Sequence, residues 1–428
     1  MGSEFMSFYR RLIRVPVVVV LSMLVGNVSS ASENWTQFRG TANDGRSDSK
    51  DLPTTWSEAE NIKWKTVIPG EGWSSPVVFG EQVWMTTSLQ NGASLRAVCV
   101  DRGSGKIVHD VEVFHVANPE KKHTFNSYAS PTPILEAGRV YVCFGDNGSA
   151  CLDSATAKPI WINRELTLDH MNGPGSSPII FKNLYILCCD GIDVQYVAAL
   201  DKNTGKLVWK TDRSVSFDGV PPDVRKAYNT PIVIDSEGHF QLISIGAHRV
   251  YSYDVMTGRE LWYFDQPGFS CVAQPQFADG MLYLSTGFTK AELWAVRTDG
   301  AGDVTKTHIA WKLKKGVPCR SSPLLVGQGN DLRIYMVTDD GIARCVRASD
   351  GEVLSQARVG VGFSASPLEA EGHVYFFDQK NVSKVMKADD KMTLIAENYL
   401  DDGCMGTPAI AGRAIFLRSK THLYRIEK

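Results

Sequence analysis

Ala199-Leu200-Asp201-Lys202-Asn203-Thr204-Gly205-Lys206-Leu207-Val208-Trp209 is the stretch whose reading decides the fold. An apolar run meets a turn in which Asp and Thr can bond local backbone groups and Gly accepts positive φ; a second run then carries a tryptophan. The stretch is a hairpin with the indole on its outermost strand, where a large ring can cover the flank of a neighbouring unit. Variants run from Asp153 to Trp161 and from Asp254 to Trp262, so the hairpin is one unit of a repeat.

A second phrase, ending in proline, recurs eight times: Ser74-Ser75-Pro76, Ala129-Ser130-Pro131, Ser176-Ser177-Pro178, Asn229-Thr230-Pro231, Ala273-Gln274-Pro275, Ser321-Ser322-Pro323, Ala365-Ser366-Pro367 and Gly406-Thr407-Pro408. Successive prolines lie 55, 47, 53, 44, 48, 44 and 41 residues apart, a period that suits four strands per unit. After each proline comes a short apolar run, a turn, and in most units a run with an aromatic at a fixed place, as in Val83-Trp84, Val140-Tyr141 and Leu184-Tyr185. Four-stranded antiparallel sheets repeated radially make an all-β, eight-bladed β-propeller. The eighth unit ends after about three strands. Asn61-Ile62-Lys63-Trp64-Lys65 is expected to complete it, closing the ring with the two ends of the chain, whereas a solenoid would need capping units.

The Asp-x-x-Thr-Gly-x-x-x-Trp phrase at Asp201 to Trp209 resembles the tryptophan-docking repeat of PQQ-binding-like β-propellers, a group that includes quinoprotein alcohol dehydrogenases and BamB-type outer-membrane assembly factors. The resemblance covers roughly residues 35 to 428. It is specific for fold and not for function, because propellers host unrelated activities. Trp35-Thr36-Gln37-Phe38-Arg39-Gly40 resembles the leader that precedes such propellers and is expected to pack on the ring.

Residues 1–5 read as a vector-derived scar and 6–31 as a signal peptide: Arg10, Arg11 and Arg14 precede an apolar stretch from Val15 to Val25, and Ser29-Ser30-Ala31 offers a cleavage site. The apolar run is about half the length that spans a bilayer. The expectation is therefore a monomeric, soluble propeller over residues 32–428, periplasmic or secreted, with no transmembrane span after processing near Ala31. A formal charge of −2, from 45 Lys plus Arg against 47 Asp plus Glu, disfavours nucleic acid as a partner.

Nine cysteines in an exported chain suggest disulfides, but the repeat places Cys99, Cys151 and Cys345 at one equivalent position, where core packing accounts for them. Cys271, Cys319 and Cys404, each four residues before its proline, are expected to face the central funnel. Quinoprotein dehydrogenases carry an adjacent-cysteine disulfide beside the quinone, so the resemblance draws attention to Cys188-Cys189; here the pair falls at the end of a second strand, and no local motif supplies a calcium-binding set.

The connections from each outer strand to the next inner strand are the expected binding surface. Those between the first four blades are long and polar, and they supply His123, Asn126, Tyr128, His170, Arg225 and Tyr228; Arg320 follows between the fifth and sixth. Such a set suits an unknown protein or carbohydrate ligand, an acidic sugar among them. No catalytic residue, metal ligand or cofactor is assigned. The reading is an exported, non-catalytic binding or protein-interaction scaffold. Two alternatives stand beside it: a PQQ- and calcium-dependent dehydrogenase, and a propeller enzyme in which His or Tyr abstracts a proton from an acidic polysaccharide while Arg neutralises the carboxylate.

Overall fold

Seven of the eight pre-proline phrases lead straight into a three- to five-residue strand at the centre of a ring, and three further strands step outward from it. Blade 3 is typical, with Ile179–Phe181, Leu184–Asp190, Gln195–Asp201 and Leu207–Asp212 pairing in that order as one antiparallel sheet. Blades 1, 2, 4, 5, 6 and 7 repeat the pattern over 77–115, 134–163, 232–265, 276–313, 324–358 and 368–399. In blade 8, Ala409–Ala411, Ala414–Arg418 and His422–Ile426 are completed by Ile62–Val67, with Trp64 opposite Arg425. The computed structural model describes Met1 and residues 33–236 and 238–428. The scar and signal peptide expected from the sequence therefore lie outside the described residues, Met1 excepted. Apart from four short 3₁₀ turns the described residues contain no helix, and none is long and apolar enough to cross a membrane.

Blades are stitched together at the rim. The Trp161 indole lies over the turn of blade 3, where a Cβ on Gly205 would sit 2.6 Å from the ring, and its Nε1 donates to the Lys202 carbonyl at 2.8 Å. Asn163, two residues on, donates to the Gly205 carbonyl at 2.9 Å. The same fit joins Trp64 to Gly105 and Trp311 to Gly351, and Trp209 covers Gly258 with its ring alone, its Nε1 having no partner among the described residues. These turns hold φ near +70° to +79°, so glycine is required for backbone conformation and for space together. Where the outer-strand residue is not tryptophan, the next turn carries a side chain: His109 faces blade 2, whose turn has Ala157, and Ser355 faces blade 7, whose turn has Met392. Trp262 is a third case. The blade-5 hairpin is longer, and its Gly302–Asp303 pairs in parallel with the outer strand of blade 4, leaving Trp262 fully buried and bonded to Gln241. Trp161 and Trp209 are buried as the repeat register requires, and Trp311 is half-buried.

One phrase needs correction. Blade 2 begins at Ile134, directly after Pro133, so Thr132-Pro133 and not Ser130-Pro131 fills the repeat position. The segment Ser130-Pro131-Thr132-Pro133 offers two matches two residues apart, and Ser130 instead bonds Asn126 Oδ1 at 2.7 Å.

The leader crosses the inner strands. Trp35 bridges Val78, the Thr36 carbonyl accepts from Leu135 N, and Arg46–Ser47 pairs in parallel with Leu368–Ala370. Between these anchors Phe38 borders the axial cavity and Arg39 is wholly buried.

Candidate functional site

The residue before each repeat proline stands at the axis, and its hydroxyl links neighbouring blades. Ser75 N donates to Thr132 Oγ1, Thr132 N to Ser177 Oγ and Ser177 N to Thr230 Oγ1, at 2.9 to 3.1 Å. On the other side Gln274 N donates to Ser322 Oγ, Ser322 N to Ser366 Oγ and Ser366 N to Thr407 Oγ1, at 2.9 to 3.0 Å. The two arcs are separated between blades 4 and 5, where Gln274 replaces the hydroxyl residue and ties the leader to the ring through Asn43 Oδ1 at 2.9 Å, and again between blades 8 and 1, where no such bond reaches Ser75 Oγ among the described residues.

Above this ring opens a funnel of about 700 Å³, bordered by residues from all eight blades, with Phe38 from the leader also on its wall. Trp73, Phe125, Met171, Phe269, Phe288 and Met405 make much of the wall apolar. The 1–2 and 5–6 connections, opposite each other in a ring of eight, meet across the mouth: the Arg320 guanidinium lies 4.2 Å over the Phe125 ring. Trp73 Nε1 donates to the Phe125 carbonyl at 3.2 Å, holding that loop inward. Arg320 also pairs with Asp339 at 3.3 Å; burial raises the Asp339 carboxyl above its ordinary range against the pull of that guanidinium. Lys226 is 3% exposed, donates to the Asp223 carbonyl, and has no carboxylate partner among the described residues; burial lowers its pKa.

Of the seven residues singled out from the sequence, His123, Asn126, Tyr228 and Arg320 border the funnel. His123 is exposed at the mouth, with Nδ1 accepting from Phe125 N at 3.2 Å. Asn126 bonds the Asn172 and Pro174 carbonyls, and the Tyr228 hydroxyl donates to the His170 carbonyl at 2.7 Å, so both brace neighbouring connections. The other three lie elsewhere. Tyr128 packs over Gly92 and donates to the Glu120 carbonyl, while Arg225 folds back on the Val220 carbonyl. His170 is buried behind the wall, its ring nitrogens without a hydrogen-bond partner and its pKa pushed down to about 4 by burial.

Among the three cysteines expected at the funnel, only Cys319 borders it; Cys271 and Cys404 are buried and reach the Thr286 and Gly406 carbonyls instead. Cys188 and Cys189 project to opposite faces of blade 3, Cys188 towards Leu242 and Tyr251 and Cys189 towards Tyr141 and Tyr185. Alternation along a strand separates them in this way. The aromatic wall escaped the sequence reading because Trp73, Phe125 and Phe269 have no common repeat position; the available signal was an aromatic within six residues ahead of Pro76, Pro131 and Pro275.

A family model described as outer membrane protein assembly factor BamB matches residues 193–428. BamB from Moraxella catarrhalis superimposes with a TM-score of 0.59 at 12% identity, over 85% of this chain and 99% of that one. A europium-containing methanol dehydrogenase gives 0.64 at 10% identity, over 90% and 89%. The computationally designed Ika8 protein gives 0.52 at 12% identity, over 84% and 98%. Likeness at these identities shows the fold alone. No curated protein matches the chain.

Proposed function

Because this chain belongs to the family of the outer membrane protein assembly factor BamB, we propose that it is a non-catalytic binding scaffold, acting in the periplasm or after secretion, whose ligand enters the axial funnel. The observation that carries this reading is the funnel itself: a cavity of about 700 Å³ with aromatic walls, of the size and character of ligand pockets in general. Apolar side chains exposed at the same face, Phe288 at 51% and Met171 at 46%, favour a partner that covers the mouth. Most groups that could move protons are engaged otherwise: Tyr228 holds a loop carbonyl, Asp339 holds Arg320, and His170 is walled off, which leaves His123 at the exposed mouth. This weighs against the lyase reading, which needs a base held beside a cation that neutralises the carboxylate, since Arg320 is paired with Asp339.

The donor set at the funnel weighs against PQQ with calcium. That ion takes several oxygen ligands with carboxylates among them, and no cluster of three His, Cys, Asp or Glu suited to a metal occurs among the described residues. The adjacent cysteines lie apart on two faces of blade 3.

Photo-crosslinking in the exporting cell tests the scaffold reading. A photoreactive residue at Phe288 is expected to yield a discrete adduct that one at Val208, on the outer rim, does not. Equal labelling from both positions, or quinone-dependent alcohol oxidation by the purified protein, overturns it.

A further inference from the structure

Six hydroxyls at the axis, those of Thr132, Ser177, Thr230, Ser322, Ser366 and Thr407, each accept one backbone N–H from the preceding blade, and none donates to a protein acceptor among the described residues. Ser75 lies on the same ring, and its hydroxyl, buried at the funnel wall, has no protein partner among the described residues. A hydroxyl carries one donor and two acceptor sites. With a lone pair turned to the neighbouring blade, each O–H is left directed elsewhere, and all seven residues border the funnel at 1 to 4% exposure. Buried donors without acceptors are rare enough to require an explanation.

Two cations without an ion-pair partner among the described residues stand near the ring. Arg39 is wholly buried beside the ring, bonding the Ser322 carbonyl at 3.3 Å and the Asp44 carbonyl at 2.7 Å, with Nε unpartnered and no carboxylate within ion-pair distance among the described residues. Its pKa, lowered by burial to about 10, still leaves it charged at neutral pH. Lys226, on the wall, adds a second cation with no carboxylate within ion-pair distance among the described residues, the Asp223 carboxylate acting on it from further off. Converging O–H donors backed by fixed positive charge suit a group that only accepts hydrogen bonds.

We infer that the hydroxyl ring is an oxyanion site: it receives the carboxylate or phosphate head of a ligand whose apolar or aromatic body lies against Trp73, Phe125 and Phe269 above. The inference rests on the funnel being the binding site and adds the chemistry of what enters it.

Calorimetric titration of residues 32–428 with phenylacetate, phenyl phosphate and the neutral 2-phenylethanol tests it. At least one acid is expected to saturate, with the alcohol no better than a tenth as tight; the two acid arms tell carboxylate from phosphate. Ser75→Ala removes a donor that no protein group uses, and is expected to weaken the bound acid about tenfold with the melting temperature unchanged. Thr407→Val, which keeps side-chain volume, provides a second variant with the same expected loss. The oxyanion site is overturned if neither acid binds, if the alcohol binds as tightly, or if both variants leave acid affinity unaltered. Cross-links at Phe288 that persist alongside such a result would sink the oxyanion site alone, whereas their loss as well would remove the scaffold reading with it.

Discussion

The rim and the axis both join blade to blade, and they do so with opposite chemistry. At the rim Trp64, Trp161 and Trp311 place Nε1 on a carbonyl of the next blade, at 2.8 to 3.0 Å, and their rings over a bare glycine, so donor, acceptor and surface are matched. At the axis six hydroxyls accept a neighbour's N–H and donate to no protein group among the described residues, and Ser75 does neither. Closed contacts of the first kind belong to stability. Open ones, buried and pointing into a cavity, are where a ligand completes the hydrogen bonding.

The largest effect is expected from opening a rim contact. Trp161→Ala removes a 6%-exposed indole that packs with Tyr141 and Tyr185, and should cost about 3–5 kcal/mol in denaturant unfolding. A cost under about 1 kcal/mol would show that the rim does not hold neighbouring blades together.

The rim was legible because it repeats. Asp201, Thr204, Gly205 and Trp209 stand at spacings that other units share, and each does a task visible in its own chemistry: the Asp201 carboxylate accepts from the Thr204 amide and hydroxyl, Gly205 takes φ of +70°, and Trp209 covers the next blade. The closing strand was legible for the same reason, since Trp64 matches the other outer tryptophans. The funnel was only half legible. His123 and Arg320 lie at its mouth as their loops suggest, but His170 sits two residues from the funnel residue Asn172 and faces the protein interior. Loop residues share no periodicity that tells inward from outward. The hydroxyl ring was in plain view in the pre-proline phrases; it read as strand-entry chemistry, since unmatched donors become apparent only when partners are known.

Outside both regions, His170 and Asp146 allow burial behind the funnel wall to be tested by pH. The folded pKa of His170, about 4, lies below the ordinary 6.5, so the unfolded chain binds the additional proton between those values and stability falls as pH drops from 6.5 to 4. Asp146, 3.9 Å away, is held up at about 6 by burial and by Glu120 and Asp169, against an ordinary 3.8. There the folded chain binds the additional proton, and stability rises as pH falls from 6 towards 4. Each contributes about 3 kcal/mol in opposite directions, so the two slopes largely cancel. His170→Gln should therefore gain stability relative to wild type on acidification, and Asp146→Asn should lose it, as read from melting temperatures between pH 4 and 7. Parallel profiles for the two variants would show that neither group is buried as described.

A smaller asymmetry separates two rim turns. Gly205→Ala places a Cβ 2.6 Å from the Trp161 ring at φ of +70°, and should cost about 1–3 kcal/mol. Ala157→Gly, in the turn that faces His109 instead of an indole, relieves a φ of +56° and should leave stability unchanged or raise it by up to about 1 kcal/mol. Equal costs for both would mean that the pairing of tryptophan with glycine across these junctions has no steric basis.

The smallest effect is expected at the axis, and its smallness carries the most information. Ser366→Ala strips the acceptor from Ser322 N, a buried amide with no other use for its proton, and should cost about 1 kcal/mol. Ser75→Ala strips nothing, because no protein group among the described residues bonds its hydroxyl, and should stay within about 0.5 kcal/mol of wild type. If both substitutions destabilise alike, Ser75 has a structural partner, the axis is as closed as the rim, and the distinction between the two regions fails. If Ser75→Ala is neutral while Ser366→Ala is not, a hydroxyl 1% exposed and without structural value stands at the wall of the funnel. The same Ser75→Ala protein then separates the two roles by titration, since a group that contributes nothing to folding can lower acid binding only by having met the ligand.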